Sequence, residues 1–386
     1  MNRTKINILA YLSVTYEKNW YRDLFKALVE SDPEVTVFAM ERPLTLMGAL
    51  LSLGRKARRP VAKDTRIINF KPLSMAHERI AYVIRPLAWL NKIMIEWQIR
   101  QVLKSYGASE GTNISWIFHP YQMLYLDCLE PEMKIYHVYD DYYFRTLDLA
   151  TITRLEATVL AKADMVYSVS PRLLSKYSPK CKNIKLMPNG VSRKFEKTGQ
   201  LDHVFHQINN IKKPRICSWG YVTNRLDFEL ILNLAKTNPN WSFIFLGETW
   251  KYLKSKWEAI LNQCPNIYYI EKINWQNLAV YLSAIDIMFI PHVKNLFNAV
   301  SSPVRFMQAL AMGKPLIVPD LPYAADCKNI IYFAETVDEY TAIIKKYLKS
   351  GENPVLAGMR CQYASVNSWE EKAKAIMKDI TECLPA

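Results

Sequence analysis

Short apolar runs alternate with helix-periodic segments along almost the whole chain, and this alternation limits the fold more than any other feature. Residues 5–12, 35–39, 115–118, 134–138, 165–169 and 184–187 are such runs in the first half. Residues 215–219, 241–246, 267–270, 286–291, 316–318 and 330–333 repeat the pattern in the second. Short runs bounded by Gly, Pro or polar residues read as buried strands. Helical spacing covers 22–30, 76–106, 148–163, 171–177, 226–237, 252–263, 277–284, 304–312, 336–350 and 369–383, while 41–75 reads as irregular. Strand, helix and strand in succession build a parallel sheet with helices on both faces. The expected fold class is α/β, two doubly wound, Rossmann-like domains facing a cleft. The aperiodic stretch 191–213 reads as a linker between domains 1–190 and 214–368, with 369–386 a helix returning toward the first domain. A chain of 386 residues is also too long for one compact core.

No apolar run reaches about 18 residues, so no transmembrane helix is expected. The opening MNRTKINILAYLS has a short apolar run, no small-residue cleavage site, and Glu17-Lys18-Asn19 directly after it. It reads as the first buried strand and not as a signal peptide. Seven cysteines without CxxC or Cys/His ligand spacing read as reduced thiols of a cytoplasmic protein, with no metal site. The formal charge is +14, and residues 42–104 hold thirteen Lys or Arg against three Asp or Glu. Arg55, Lys56, Arg58 and Arg59 follow the apolar run 44–53, and Arg79, Arg85, Lys92 and Arg100 alternate with 80–84 and 87–97. Basic residues beside apolar and aromatic ones suit a helix lying on an anionic membrane surface. The plainer alternative is a solvated basic face whose apolar side enters the core. No nucleic-acid motif accompanies the charge, so nucleic acid is not an expected partner.

The stretch 286–326 carries the most chemistry. A strand stops at Pro291, a polar loop runs over 292–303, and a helix over 304–312 ends at Gly313 before Lys314-Pro315. Strand, loop and helix N-terminus in this order bind anions outside the carboxyl ends of a parallel sheet. Ser301 and Ser302 stand where the helix begins. Arg305 lies in its first turn, where the helix dipole disfavours a cation unless an anion shares the site. The alternative is Ser302 as a plain N-cap and Arg305 as a solvated residue. Gln308 is one turn further on the same face. His292 ends the strand. Gly220 follows another strand and allows close backbone approach; Arg225 reads as a second cation or as a partner for Asp227. In the first half, Asp140 and Asp141 end the strand 134–138 among tyrosines, and adjacent carboxylates perturb each other's pKa. Asp141 as a cap of the next segment is the alternative. His119 ends the strand before it.

Four segments, in this order and spacing, carry a resemblance. They are Tyr139-Asp140-Asp141 with Glu156, Ala163-Asp164-Met165-Val166 and Ser168-Val169-Ser170; then 186–191, LMPNGV; then 218–222, SWGYV, with Arg225 and Asp227; then 286–291 with 305–315, RFMQALAMGKP. Over nearly its whole length the chain resembles the GT-B glycosyltransferases. It is similar to the membrane-associated glucuronosyltransferase of xanthan assembly and to related polysaccharide glycosyltransferases. Related enzymes more often have Glu at the position of Gln308, and a second acid where Val300 stands; that two-acid pattern is absent here.

The resemblance implies a division of labour. The second domain would hold a nucleotide sugar, with Ser301, Ser302, Arg305 and Arg225 at the diphosphate, Gln308 at the ribose, Gly220 and His292 near the phosphates, and main chain at Ile273 and Asn274 pairing with the base. The first domain would hold the acceptor. There Asp140 would take the acceptor hydroxyl's proton, with Asp141 and His119 as further candidates. The expected activity is inverting, metal-independent transfer from a UDP-sugar, with no cofactor, to a lipid-linked or growing glycan in bacterial surface polysaccharide synthesis. The expected location is the inner face of the plasma membrane, as a cytoplasmic, peripheral protein. A GT-B-fold UDP-sugar epimerase and a non-catalytic assembly protein that kept the fold are the alternatives.

Overall fold

The structure, a computed structural model, describes residues 5–16, 19–51, 66–144, 148–195, 206–273 and 275–384. It has two compact units, Met1–Pro188 with Glu370–Ala386, and Asn189–Trp369.

The strands of the first unit are β1 (Ile6–Tyr11), β2 (Val35–Met40), β3 (Leu44–Thr45), β4 (Ile67–Phe70), β5 (Leu73–Ser74), β6 (Thr112–Ile117), β7 (Met133–Val138), β8 (Met165–Ser168) and β9 (Ile184–Leu186). Seven of them form one sheet in the order β4-β2-β1-β6-β7-β8-β9, and β3 pairs with β5. Every pairing is parallel, with Ile8 beside Val37 and Ile114. All six residues of β1 are buried, because a parallel sheet covered on both faces has no solvent side. The strand order reverses between β1 and β6, which marks the crevice where such sheets bind ligands. There the Gln122 Oε1 accepts from the Phe118 and His119 N–H groups at 2.8 and 3.1 Å, and its Nε2 reaches Ser13 Oγ at 3.3 Å.

The cap expected at Ser170 is in place, and Asp148 supplies another. Asp148 accepts from the Thr151 N–H at the start of Leu149–Lys162, and Ser170 from the Leu173 N–H at the start of Pro171–Tyr177. Two expectations are corrected. The region 41–75 contains the edge strand β4, whose four residues are too few to give a period. The helix over 76–106 is two helices, Glu78–Val83 and Arg85–Ser105, with extended backbone at Ile84. Pro86 has no N–H to donate to the Tyr82 carbonyl, and its ring would strike that oxygen. Helix Trp369–Cys383 packs in this unit through buried Ile376 and Ile380. Its Asp379 accepts from Tyr167 Oη at 3.0 Å and pairs with Lys185 at 2.5 Å.

The second unit contains β10 (Arg215–Trp219), β11 (Ser242–Leu246), β12 (Ile267–Ile270), β13 (Ile287–Phe289), β14 (Leu316–Val318) and β15 (Tyr332–Phe333). They pair in parallel in the order β12-β11-β10-β13-β14-β15, which reverses between β10 and β13. Alternate strand residues feed two cores. Trp219, Leu246, Met288 and Leu310 share one; Phe243, Phe245, Trp257 and Phe289 share the other. Inside the expected loop 292–303 there is a short helix, Leu296–Ala299, capped by Asn295. Helix Pro354–Val366 has no counterpart in the sequence reading, because a buried arginine, Arg360, interrupts its apolar face.

Candidate functional site

In the second unit the reversal between β10 and β13 gathers most of the residues expected at an anion. Gly220 follows β10 with φ +96°, a conformation that favours glycine. A Cβ at Gly220 would lie 2.5 Å from Arg305 Nη2, so the guanidinium rests directly on this glycine. Arg305 is in the first turn of Val304–Ala311, whose N-cap, Pro303, offers no side-chain acceptor. Burial, and then the charge of Arg225, push the Arg305 pKa down to about 10. Arg305 therefore stays protonated at neutral pH, and among the described residues it has no ion-pair partner. The Arg225 guanidinium stacks on the Phe297 ring at 3.9 Å and donates to Asn298 Oδ1 at 3.4 Å. Asp227, the other partner expected for Arg225, caps Phe228–Thr237 by accepting from the Leu230 N–H.

His292 is buried after β13, its Nδ1 3.4 Å from Tyr323 Oη. Burial, then the Arg305 and Arg225 charges, hold its pKa well below the usual value, so the imidazole is neutral. Its Nε2 is buried without a protein partner among the described residues. Two like-charged guanidiniums beside a neutral imidazole with a partnerless buried nitrogen make a cationic site whose chemistry suits an anion.

The other candidates divide. Ser302 is not the N-cap: its Oγ accepts from the Asn189 N–H at 3.0 Å, and its carbonyl accepts from Asn189 Nδ2 at 2.6 Å. Ser301 Oγ donates to the Asn298 carbonyl at 2.8 Å. Both serines shape the loop beneath Arg305. Gln308 Oε1 accepts from Trp219 Nε1 at 2.8 Å, so its amide is oriented by an indole. Ile273, beyond β12, is half-buried and packs on the core; Asn274 lies outside the described residues. Trp275, 37% exposed, brings its indole close to Gly247, which has φ +126° and closes on the Gly220 carbonyl. Tyr323 and Trp275 were not read from the sequence. Their signal was position: each follows a strand at its C-terminal end.

In the first unit Asp140 and Asp141 follow β7 and are both buried. They are not equivalent. Asp141 binds Lys176 Nζ through both oxygens at 2.9 and 3.0 Å and accepts from the Tyr143 N–H, so it is tied into the fold. Asp140 Oδ1 accepts from the Asp141 N–H at 3.1 Å. Tyr139 beside it meets Trp20 at 5.4 Å and Tyr142 at 5.6 Å between ring centres, and Trp20 is exposed. His119 is half-buried, accepts from the Tyr121 N–H through Nδ1, and lies 4.5 Å from the Tyr142 ring. Asp140, His119 and this aromatic group thus share the carboxyl ends of β6 and β7. Glu156 is a buried structural acceptor, taking the Tyr136 and Tyr177 hydroxyls at 3.1 and 2.9 Å. Arg55, Lys56, Arg58 and Arg59 lie outside the described residues.

Two parallel, doubly wound sheets with these reversals are the GT-B fold. The chain superposes on sucrose-phosphate synthase from Thermosynechococcus elongatus with TM-score 0.71 and 14% identity, covering 98% of this chain and 99% of that one. It superposes on HepE of Anabaena, solved with UDP and glucose, with TM-score 0.69 and 12% identity over 97% and 99% of the two chains. A Listeria monocytogenes structure named as a UDP-N-acetylglucosamine 2-epimerase gives TM-score 0.58 and 14% identity over 97% and 96%. In sequence, the chain is similar to TuaH of Bacillus subtilis (strain 168), named as a teichuronic acid biosynthesis glycosyltransferase, at 24% identity over 164 residues. That match spans 41% of this chain and 41% of TuaH. No family model matches. The resemblance to GT-B glycosyltransferases drawn from the motifs is thus met by both kinds of comparison.

Proposed function

We propose that this chain is a glycosyltransferase of polysaccharide synthesis. It moves a sugar with inversion from a nucleotide donor, a UDP-sugar, to a lipid-linked or growing glycan. The observation that carries the reading is the Arg305 guanidinium, unpaired among the described residues, on Gly220 beside Arg225. Two fixed cations at a helix start supply the charge that a departing diphosphate needs, without requiring a metal ion. UDP in the HepE structure supports UDP as the nucleotide, and the name of TuaH supports a polysaccharide acceptor. The acceptor side is Asp140, the proton-accepting base, within reach of aromatic faces on which a sugar packs. His119 is the second candidate base. Asp141, bound to Lys176, positions the loop. The protein acts as a peripheral protein at the cytoplasmic face of a membrane; among the described residues no helix is long and apolar enough to cross one.

Asp140→Asn tests the reading. Calorimetry with UDP and UDP-sugars is expected to show donor affinity within about twofold of the parent, and a transfer assay a loss of 100-fold or more, the usual scale of general-base catalysis. A parent protein that binds no nucleoside diphosphate overturns the reading. The epimerase fold likeness favours a second reading, conversion of the UDP-sugar itself. Incubation with the donor alone separates the two, since an epimerase changes the sugar without an acceptor.

A further inference from the structure

The first unit carries a pocket of about 350 Å³ among helices Glu78–Val83, Arg85–Ser105, Met123–Leu126 and Leu149–Lys162. Trp89, Met123, Leu124 and Leu155 give it an apolar lining. Two exposed arginines, Arg85 and Arg154, line it as well. Among the described residues neither has an ion-pair partner. The Asp148 carboxylate, which senses the Arg154 charge, is engaged by the Thr151 N–H at 3.1 Å. The helix break at Ile84 puts Arg85 at the first position of a helix, where the backbone dipole adds to the pull on an anion.

The surroundings are unusual for a solvated surface. Val83 is 78% exposed, Trp89 63% and Trp97 61%, and Ile84, Ile93 and Leu149 are exposed beside them. Arg79, Lys92 and Arg100 lie on the same two helices. An apolar cleft with two cations, set among exposed indoles and further basic residues, matches a ligand that has one anionic group on a hydrocarbon body. A free phosphate would leave the apolar lining unused.

We propose that this pocket holds one anionic glycerophospholipid of a bilayer leaflet, with its phosphate between Arg85 and Arg154 and its acyl chains over Trp89, Met123 and Leu124. The proposal rests on the membrane-facing part of the function proposed above and on nothing in the donor site.

The test is calorimetry of the full chain with dihexanoyl phosphatidylglycerol below its micelle concentration, with dihexanoyl phosphatidylcholine and glycerol phosphate in parallel. Saturable one-to-one binding of phosphatidylglycerol is expected, with at least tenfold weaker binding of the other two. The R85Q/R154Q double variant, and separately Trp89→Ala, should each weaken it tenfold or more. Both arginines and the indole are exposed, so the variants should keep the parent's thermal midpoint. Replacing Arg55, Lys56, Arg58 and Arg59 by Ser should leave monomeric lipid binding within twofold. Unchanged affinity in R85Q/R154Q, or equal affinity for glycerol phosphate, overturns the site. Loss of UDP binding in the parent would sink the transferase reading while leaving this one intact.

Discussion

Arg305 combines three features that rarely coexist: a place in the first turn of a helix, a glycine directly beneath it, and no acidic partner among the described residues. Its removal should not unfold the helix, because the dipole gains nothing from a cation there. It should remove a charge-assisted contact to a diphosphate, on the order of 2–3 kcal/mol, so Arg305→Ala is expected to bind UDP roughly 30- to 150-fold more weakly in calorimetry. Unchanged affinity would refute its role. Glu78 gives a second residue-level outcome. Burial raises its pKa to about 7, with Arg42 only partly opposing that. Folding then binds a proton that the unfolded chain releases near its ordinary value of 4.5. Glu78's contribution is complete below that value and is lost as pH rises through about 7. Glu78→Gln should therefore match the parent in urea unfolding at pH 4.5 and exceed it above pH 7, by up to about 3 kcal/mol. Parallel stability profiles for the two proteins would show that Glu78 is not the group responsible.

At the scale of elements, strand ends and helix starts make the site, and a helix invisible in the sequence secures it. Arg360, on Pro354–Val366, is fully buried. It donates to the Gly313 carbonyl through Nε and Nη2, at 3.2 and 2.9 Å, and to the Ile330 carbonyl at 2.7 Å. It also pairs with Glu352 at 2.8 Å. Gly313 closes the helix that carries Arg305 and Gln308, so Arg360 holds the C-terminal end of that helix. Arg360→Met would leave two buried carbonyls and one carboxylate without their cation, a loss of roughly 3–5 kcal/mol. The expected readout is a lower urea midpoint for the second unit, with UDP affinity retained at low temperature; an unchanged midpoint would show that the pairings contribute little.

At the scale of the whole molecule, charge is the distinguishing property. Of the net +14, most arises in residues 42–104, and the described helices in that stretch leave Met47, Leu51, Trp89 and Trp97 exposed. Apolar and cationic contributions to membrane binding respond differently to salt. Ser at Arg55, Lys56, Arg58 and Arg59 should cut binding to anionic vesicles at least tenfold at about 0.1 M salt, at about 1 kcal/mol per charge, with a shallower salt dependence. Equal sedimentation with vesicles would locate the membrane contact elsewhere.

The sequence by itself determined the α/β class, most strands, the helix cap at Ser170, and the place of Gly220, Arg225 and Arg305 at strand ends and a helix start. Those features are local: apolar period, capping chemistry and strand-end position are written in neighbouring residues. It did not determine β4, the break at Ile84 or helix Pro354–Val366. A strand of four residues has no period to read, and a buried arginine looks like a surface one until its carbonyl partners are known. Resemblance favoured Asp140 over Asp141, but sequence could not show the Lys176 pair that ties Asp141 down, nor separate Ser302 as a cap from Ser302 as an acceptor for Asn189, nor reveal Arg225 stacked on Phe297. Those choices depend on residues 35, 113 and 72 positions away. Only the tertiary structure brings Lys176, Asn189 and Phe297 into contact, because parallel sheets join strand ends that are far apart in the chain.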